Sequence, residues 1–285
     1  MQNDKVAVVI ITYNRLELLK KVLDAVKGQT RKADEIIVVN NSSTDGTEDW
    51  LNEQDGIYHL KQENVGSSGG QYAGFKKALE GNFDYVWTMD DDVVPMKDCL
   101  AALLHKANQI TVVTPLRFKS ETEVYLNDVL KLNLKNPFST MWEKVISESE
   151  LKNGLIAAQG ITFEGPLVPM ELIRKAGLPN KDFFIYGDDT EYFIRCMSVG
   201  AEIYLYSEAH MLRLLPAADL EKDYGWKLYY IIRNQMLIDL LHGTFAVRLI
   251  RPIAYLFKWL GRVNNSDERK TVFKAFKDAY KLASS

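Results

Sequence analysis

Three consecutive carboxylates, Asp90, Asp91 and Asp92, end an apolar run from Tyr85 to Met89. Like charges this close raise one another's proton affinity, so the cluster invites a cation. Alternate residues of extended chain share a face, which lets Asp90 and Asp92 reach one ion while Asp91 points away. Hard oxygen donors suit Mn²⁺ or Mg²⁺, and such ions commonly bridge substrate phosphates. A second cluster, Asp188, Asp189 and Glu191, follows Gly187. One acid of the Asp188–Asp189 pair suits a helix cap. A carboxylate at a helix start beside a metal–diphosphate site also suits a general base. His210 stands just past an expected strand end, where a third metal ligand could sit, whereas His59, His105 and His242 have no comparable neighbours. Asn64-Val-Gly-Ser-Ser-Gly-Gly70 can bring backbone N–H groups to a phosphate. It is neither a Walker A loop nor a Rossmann fingerprint. The plain alternatives are an acidic turn capping a helix at Asp90–Asp92 and a tight turn at the glycines.

The elements that must position these groups follow from hydrophobic periodicity. Val6 to Ile11 reads as a buried parallel strand, and Thr12-Tyr-Asn-Arg15 as the polar turn after it. Leu16, Leu19, Val22, Leu23 and Val26 mark one face of a helix. Ile36 to Val39 is a second strand, running into Asn40–Thr47 and a helix start before Glu48. A helix is expected over Gln71 to Leu79, then the strand carrying the aspartates, stopped by Pro95. This alternation predicts right-handed βαβ units in a parallel sheet, with ligands at the C-terminal strand ends.

The second half is less regular. Strands are expected at Val112–Pro115, Leu155–Gln159 and Ala201–Tyr206, and Gly165–Pro169 reads as a turn before a helix over Glu171 to Ala176. The forty residues after Pro115 suggest a lid or binding segment, or else hold helices that the pattern does not place. A further helix would turn Tyr192, Phe193 and Cys196 inward. Tyr224 to Val263 mixes aromatic and aliphatic residues with Lys and Arg. It suits amphipathic helices lying on an anionic membrane, or helices packed on the main unit with basic stems reaching water. Residues 264–285 read as a surface helix.

Composition narrows the classes. With 285 residues, 47% hydrophobic and 26% charged, the chain is a globular α/β protein. A net charge of −3 argues against a general nucleic-acid binder. Two cysteines, Cys99 and Cys196, are too few for a disulfide framework. The first residues lack a signal-peptide build and no apolar run is long enough to span a bilayer, so a cytoplasmic protein, at most peripheral on a membrane, is expected.

Five motifs in order together resemble the inverting nucleotide-sugar glycosyltransferases of family 2. They are Ile11-Thr-Tyr-Asn-Arg15, Val39-Asn-Asn-Ser-Ser-Thr-Asp-Gly-Thr47, Asn64 to Gly70, Asp90-Asp-Asp92 and Gly187-Asp-Asp-Thr-Glu-Tyr192. Within the family they are most similar to bacterial rhamnosyl- and galactofuranosyltransferases. The resemblance implies a GT-A fold, a Rossmann-like, mostly parallel mixed sheet flanked by helices with a C-terminal helical extension. It divides the chain into a glycosyltransferase domain, 1–218, with halves 1–100 and 101–218, and a helical region, 219–285.

The same resemblance implies roles. Thr12, Tyr13, Asn14 and Arg15 would line the nucleotide pocket, and Asn40 and Asn41 would meet the base, although many relatives carry Asp where Asn40 stands. Asn64, Gly66, Gly69 and Gly70 would lie against ribose and diphosphate. Asp90, Asp92 and His210 would hold Mn²⁺ or Mg²⁺, with Asp91 near the sugar or ribose. Asp189 would be the catalytic base, Asp188 and Glu191 would lie toward the acceptor, and Trp226, Tyr229, Arg233 and Asn234 would form an acceptor-side or donor-closing segment. The implied reaction moves a sugar, from UDP-galactofuranose or dTDP-rhamnose, to a hydroxyl of a growing cell-surface glycan on a lipid carrier at the inner membrane face. A homodimer is compatible with this. The rivals are a degenerate sugar-binding scaffold and a sugar-phosphate nucleotidyltransferase.

Overall fold

The computed structural model describes residues 4–127, 129–215 and 224–284. Strand β1 (Val6–Thr12) is buried at every position, because it lies mid-sheet with helices over both faces. Its alternate residues feed opposite cores. Val6, Val8 and Ile10 meet the apolar face of α1 (Leu16–Lys27), while Ala7, Val9 and Ile11 face the other layer. The parallel half continues through β2 (Glu35–Asn40), α2 (Thr47–Asn52) and β3 (Tyr58–Lys61). Helix α3 (Gly66–Leu79) then crosses to β4 (Tyr85–Asp90), which pairs parallel with β1 on its other side. Register sets Thr12 beside Asn40 and Ile11 beside Asp90, so the polar strand ends share one edge.

The second half adds β5 (Val93–Pro95), α4 (Cys99–Lys106), β6 (Thr111–Phe118), β7 (Val124–Tyr125), β8 (Leu130–Leu132), β9 (Trp142–Val145), β10 (Leu155–Ala157), β11 (Leu167–Pro169), α5 (Met170–Ala176), α6 (Asp188–Ser198) and β12 (Glu202–Arg213). The large sheet runs β10-β12-β6-β11-β4-β1-β2-β3, with β5 on β12 and β7 on β6. β8 and β9 form a separate antiparallel ribbon. β11 is antiparallel to both β4 and β6, which makes the sheet mixed. α5 and α6 bury Leu172, Ile173, Tyr192, Phe193 and Cys196 against it.

Several expectations are corrected here. The helix expected from Gln71 begins at Gly66, so the glycine-rich stretch is its first turns. Pro95 does not merely stop a strand. Val93–Pro95 pairs with the end of β12, at the sheet margin where a residue without N–H is tolerated. The turn expected at 165–169 is confined to Gly165-Pro166, and Leu167–Pro169 is a buried strand. β12 runs on past Tyr206 through an irregularity to Arg213, so His210 lies inside it.

Three helices close the chain: α7 (Leu228–His242), α8 (Phe245–Arg262) and α9 (Ser266–Ala283). They share a third core with Leu130, Leu132, Met141, Phe183 and Ile194. Their inner faces therefore pack on the main unit. α9 is more than a surface helix, since Val272, Ala275 and Ala279 are buried. The boundary expected between 218 and 219 lies outside the described residues.

Candidate active site

The ends of β1 and β4 are tied together at Asp91. Thr12 Oγ1 donates to Asp91 Oδ2 at 2.7 Å, and the Tyr13 N–H donates at 3.3 Å. Arg15 Nη1 reaches Asp91 Oδ1 at 3.0 Å and Asp92 Oδ2 at 3.1 Å. Burial pushes the Asp91 carboxyl up to about 6, against the opposing pull of Arg15 and Thr12. Asp91 thus braces the β1 turn; it lies with Asp92 in the turn after β4, so the strand alternation expected for the three acids stops at Asp90.

Asp90 and Asp92 meet an acid from a different part of the chain. Among the described residues, Asp90, Asp92 and Glu164 bring one carboxylate oxygen each to within 4.8 Å of one another. Glu164 precedes the Gly165 turn, whose carbonyl accepts from Trp87 Nε1 at 2.9 Å, so β4 itself positions this turn. Arg117 Nη1 donates to Glu164 at 2.6 Å and Arg213 Nη1 at 2.8 and 2.7 Å. Burial raises the Asp90 carboxyl well above the usual range, and Asp92, Glu164, Asp91 and Asp188 add to it. Asp92 Oδ1 is buried without a hydrogen-bond partner. An orphaned oxygen among three converging carboxylates fits a divalent cation, and hard oxygen donors select Mn²⁺ or Mg²⁺.

Asp90 lies on the wall between two chambers. One, of about 360 Å³, is lined by Thr12, Tyr13, Asn41, Asn64, Gly66 and Trp226 among others. The other, of about 520 Å³, holds Asp92, Glu164, Asp188 and Asp189, with Trp142 and Arg213. Arg15, Ser67, Ile185 and Lys227 border both.

Asp188 and Asp189 begin α6, but neither supplies the expected cap. The N-cap is Gly187, whose left-handed backbone (φ 76°) suits glycine. Asp189 Oδ1 accepts from the Thr190 N–H at 2.6 Å. Asp188 is almost fully buried with Oδ2 unpartnered. Burial, then the neighbouring Asp189, raises its carboxyl well above the ordinary range. Asp189 is the more accessible of the two.

A family model described as glycosyl transferase family 2 matches residues 7–161. The chain belongs to the glycosyltransferases of family 2. It is 29% identical over 205 residues to the galactofuranosyltransferase GlfT1 of Mycolicibacterium smegmatis, a match covering 68% of this chain and 66% of that protein. It is 26% identical over 200 residues to the GalNAc(5)-diNAcBac-PP-undecaprenol beta-1,3-glucosyltransferase of Campylobacter jejuni, covering 67% and 59%. The match thus spans about two thirds or less of these relatives. The crystal structure of GalNAc-T7 with UDP, GalNAc and Mn²⁺ superposes with a TM-score of 0.70 at 12% identity, over 100% of this chain and 58% of that one. That likeness establishes the GT-A fold.

Several residues that resemblance to family 2 placed at the ligand do other work. Asn14 receives the Thr44 N–H at 2.7 Å, and Asn40 spends both ends on Glu48 and Ser43. Both brace the loops behind the pocket, and Asp45 joins them by accepting from the Leu16 N–H at 2.9 Å. Gly69 and Gly70 are packing residues, and a Cβ on Gly70 would meet Ile11 at 2.5 Å. Glu191 is held by Arg195 at 2.8 Å and His242 at 3.0 Å. Tyr229 donates to Asp278 at 2.6 Å, facing α9. Arg233 donates to the carbonyls of Asp182 and Phe183. His210 is not brought to the acids. Its Nε2 lies 2.8 Å from the Ser207 carbonyl, and its ring packs edge-on to Phe118.

Glu164, Lys227, Phe184 and Ile185 were missed. Glu164 joins the site only because β11 inserts antiparallel beside β4, a long-range pairing that no local spacing announces. The one local hint is an acid directly before a Gly-Pro turn.

Proposed function

We propose that this protein transfers a sugar from a nucleotide diphosphate donor to an acceptor hydroxyl, with inversion. The observation that carries this reading is Asp90, which walls both chambers and converges with Asp92 and Glu164 where donor and acceptor would meet. The first chamber takes the nucleotide. Tyr13 and Asn64 present polar groups to it, Thr12 and Asn41 line it with side chains held by Asp91, Gly66 and Gln62, and Arg15 and Lys227 offer positive charge near the diphosphate. Asp90, Asp92 and Glu164 would hold Mn²⁺ or Mg²⁺, which when bound offsets the charge developing on the leaving diphosphate.

The second chamber takes the acceptor. Asp189 accepts the proton of the acceptor hydroxyl as that oxygen attacks the anomeric carbon from the face opposite the diphosphate. Asp188, buried and with a raised proton affinity, holds the start of α6 beside it. Trp226, exposed and set edge-on to Phe184 and Tyr230, belongs to the first chamber, where it offers a ring face beside the nucleotide.

UDP-galactofuranose is the favoured donor, supported by the resemblance to galactofuranosyltransferases, with dTDP-rhamnose second. A lipid-linked glycan acceptor at the inner membrane face is supported by the Campylobacter relative, whose name specifies an undecaprenol-linked glycan. The division into a catalytic domain to about residue 218 and a helical region after it belongs to the same reading. Calorimetric titration with UDP, dTDP and GDP, each with Mn²⁺ and again with EDTA, tests it. Metal-dependent binding of one nucleotide is expected. Binding of none by folded protein would leave a scaffold with a degenerate site.

A further inference from the structure

Helix α8 is apolar on the wrong side for a helix that merely packs on a domain. Its inner face holds Val247, Tyr255 and Trp259, but also Arg251, which donates to Asp239 at 2.7 Å and to the carbonyls of Asn133 and Asn136. Its outer face carries Phe245, Leu249, Ile253 and Phe257, four residues apart and therefore in one stripe. They are 79%, 52%, 47% and 69% exposed, and Ile250 lies beside them. An ordinary surface helix is polar there. Phe138, 86% exposed, extends the patch. Its loop is stitched to the start of α8 by Thr244, whose N–H donates to Leu134 O at 3.1 Å, and by Arg251.

The charge around this face is one-sided. Helix α8 has no Asp or Glu, and apart from the buried Arg251 it carries Arg248, Lys258 and Arg262, in a chain of net charge −3. Arg248, Lys258 and Arg262 are exposed along the edges of α8, with Arg262 beside Trp259 and Lys258 beside Tyr255. We propose that α8 and the Phe138 loop form a docking surface for an anionic lipid bilayer, with the phenylalanine and aliphatic stripe entering the interface and the basic edge meeting lipid headgroups. Among the described residues no helix is long and apolar enough to cross a membrane, and α8 carries four basic residues in eighteen, so it lies in the interface plane. Charge decides between this occupant and a second copy of the chain. Two α8 faces brought together would oppose two basic segments, whereas anionic headgroups complement one. The ribbon of β8 and β9 links surface to site. Leu130 and Trp142 line the acceptor chamber, and the Met141 N–H beside them donates to the Tyr255 hydroxyl of α8 at 3.3 Å.

This inference does not depend on the catalytic assignments and is tested apart from them. Full-length protein is sedimented with vesicles of phosphatidylcholine alone and with a third phosphatidylglycerol, at low and high salt. We expect binding to the anionic vesicles, weakened by salt. Ile253→Glu with Phe257→Glu should lower partitioning at least tenfold, and Lys258→Glu with Arg262→Glu severalfold. Circular dichroism and nucleotide binding should be unchanged, since the four side chains are exposed and none of them lines either chamber. Failure of the folded wild type to bind anionic vesicles would overturn the proposal, and so would equal binding by the Ile253/Phe257 variant. A concentration-dependent dimer in ultracentrifugation that this variant converts to monomer would instead assign the face to a second copy.

Discussion

Asn234, on α7, donates its side-chain amide to the Tyr186 carbonyl at 2.7 Å. The same nitrogen lies 2.8 Å from the Ile185 carbonyl and 2.9 Å from that of Phe183. Phe184 and Tyr186 hold φ of 64° and 66°, left-handed conformations that side-chain-bearing residues seldom adopt. The segment thus stores strain that α7 over-determines, and it delivers Gly187, Asp188 and Asp189 to the acceptor chamber. Asn234→Leu should destabilise the fold by about 2 kcal/mol, since buried carbonyls lose their donor. It should also lower kcat more than it alters nucleotide affinity, as thermal unfolding and steady-state kinetics would reveal.

Asp189→Asn is expected to keep nucleotide binding and to lose turnover by about 10²- to 10⁴-fold, the range for a positioned general base. Turnover close to wild type would move the base to another residue.

Glu164→Gln should weaken Mn²⁺ binding, read by calorimetry in the absence of donor, by about tenfold or more. It keeps the shape of the side chain, and its one amide oxygen can still accept from Arg117 and Arg213, but it removes one acceptor and one negative charge from the trio. His210→Gln should leave Mn²⁺ affinity within about twofold, because its ring nitrogen is engaged at Ser207. A large loss there would reverse the assignment of the third ligand.

Gly66→Ala meets two obstacles. Gly66 has a φ of 79°, and a Cβ would collide with the Phe184 carbonyl. The variant should unfold more easily by about 1–3 kcal/mol and bind nucleotide more weakly, because it pushes α3 from the 183–186 segment. Differential scanning calorimetry and titration with the nucleotide would measure the two effects.

Burial alone would raise the Glu191 carboxyl, but hydrogen bonds from His242 and Arg195 outweigh it and hold it below its ordinary value of 4.5. A lowered folded-state value means stabilisation present above about pH 4.5 and lost as pH falls through the folded value. Glu191→Gln should cost about 3 kcal/mol at neutral pH, the low end for a broken buried pair since Arg195 stays partly in water. The acid limb of its stability curve should be shallower than that of wild type, in denaturant titrations from pH 3 to 7.

The sequence alone determined the elements whose cause is local. An all-apolar β-branched run makes β1, and a period of three to four residues makes α1. Acids directly after an apolar run mark a strand end, whatever the rest of the chain does. Asp90 and Asp92 were legible for that reason, and register between β1 and β4 then placed Asp90 on the polar edge, whereas Asp188 and Asp189 were legible as acids at a helix start. Only the tertiary structure decided which polar residues reach the ligand. Asn40, Asn41, Tyr229 and Glu191 look as available as Tyr13 and Trp226, yet Glu48, Gln62, Asp278 and Arg195 engage them. Glu164 enters through an antiparallel insertion between distant strands, and the apolar stripe of α8 faces outward because Arg251 is drawn inward to Asp239. Side-chain partners across long sequence separations are set by packing, and periodicity says which face is apolar but not what that face will meet.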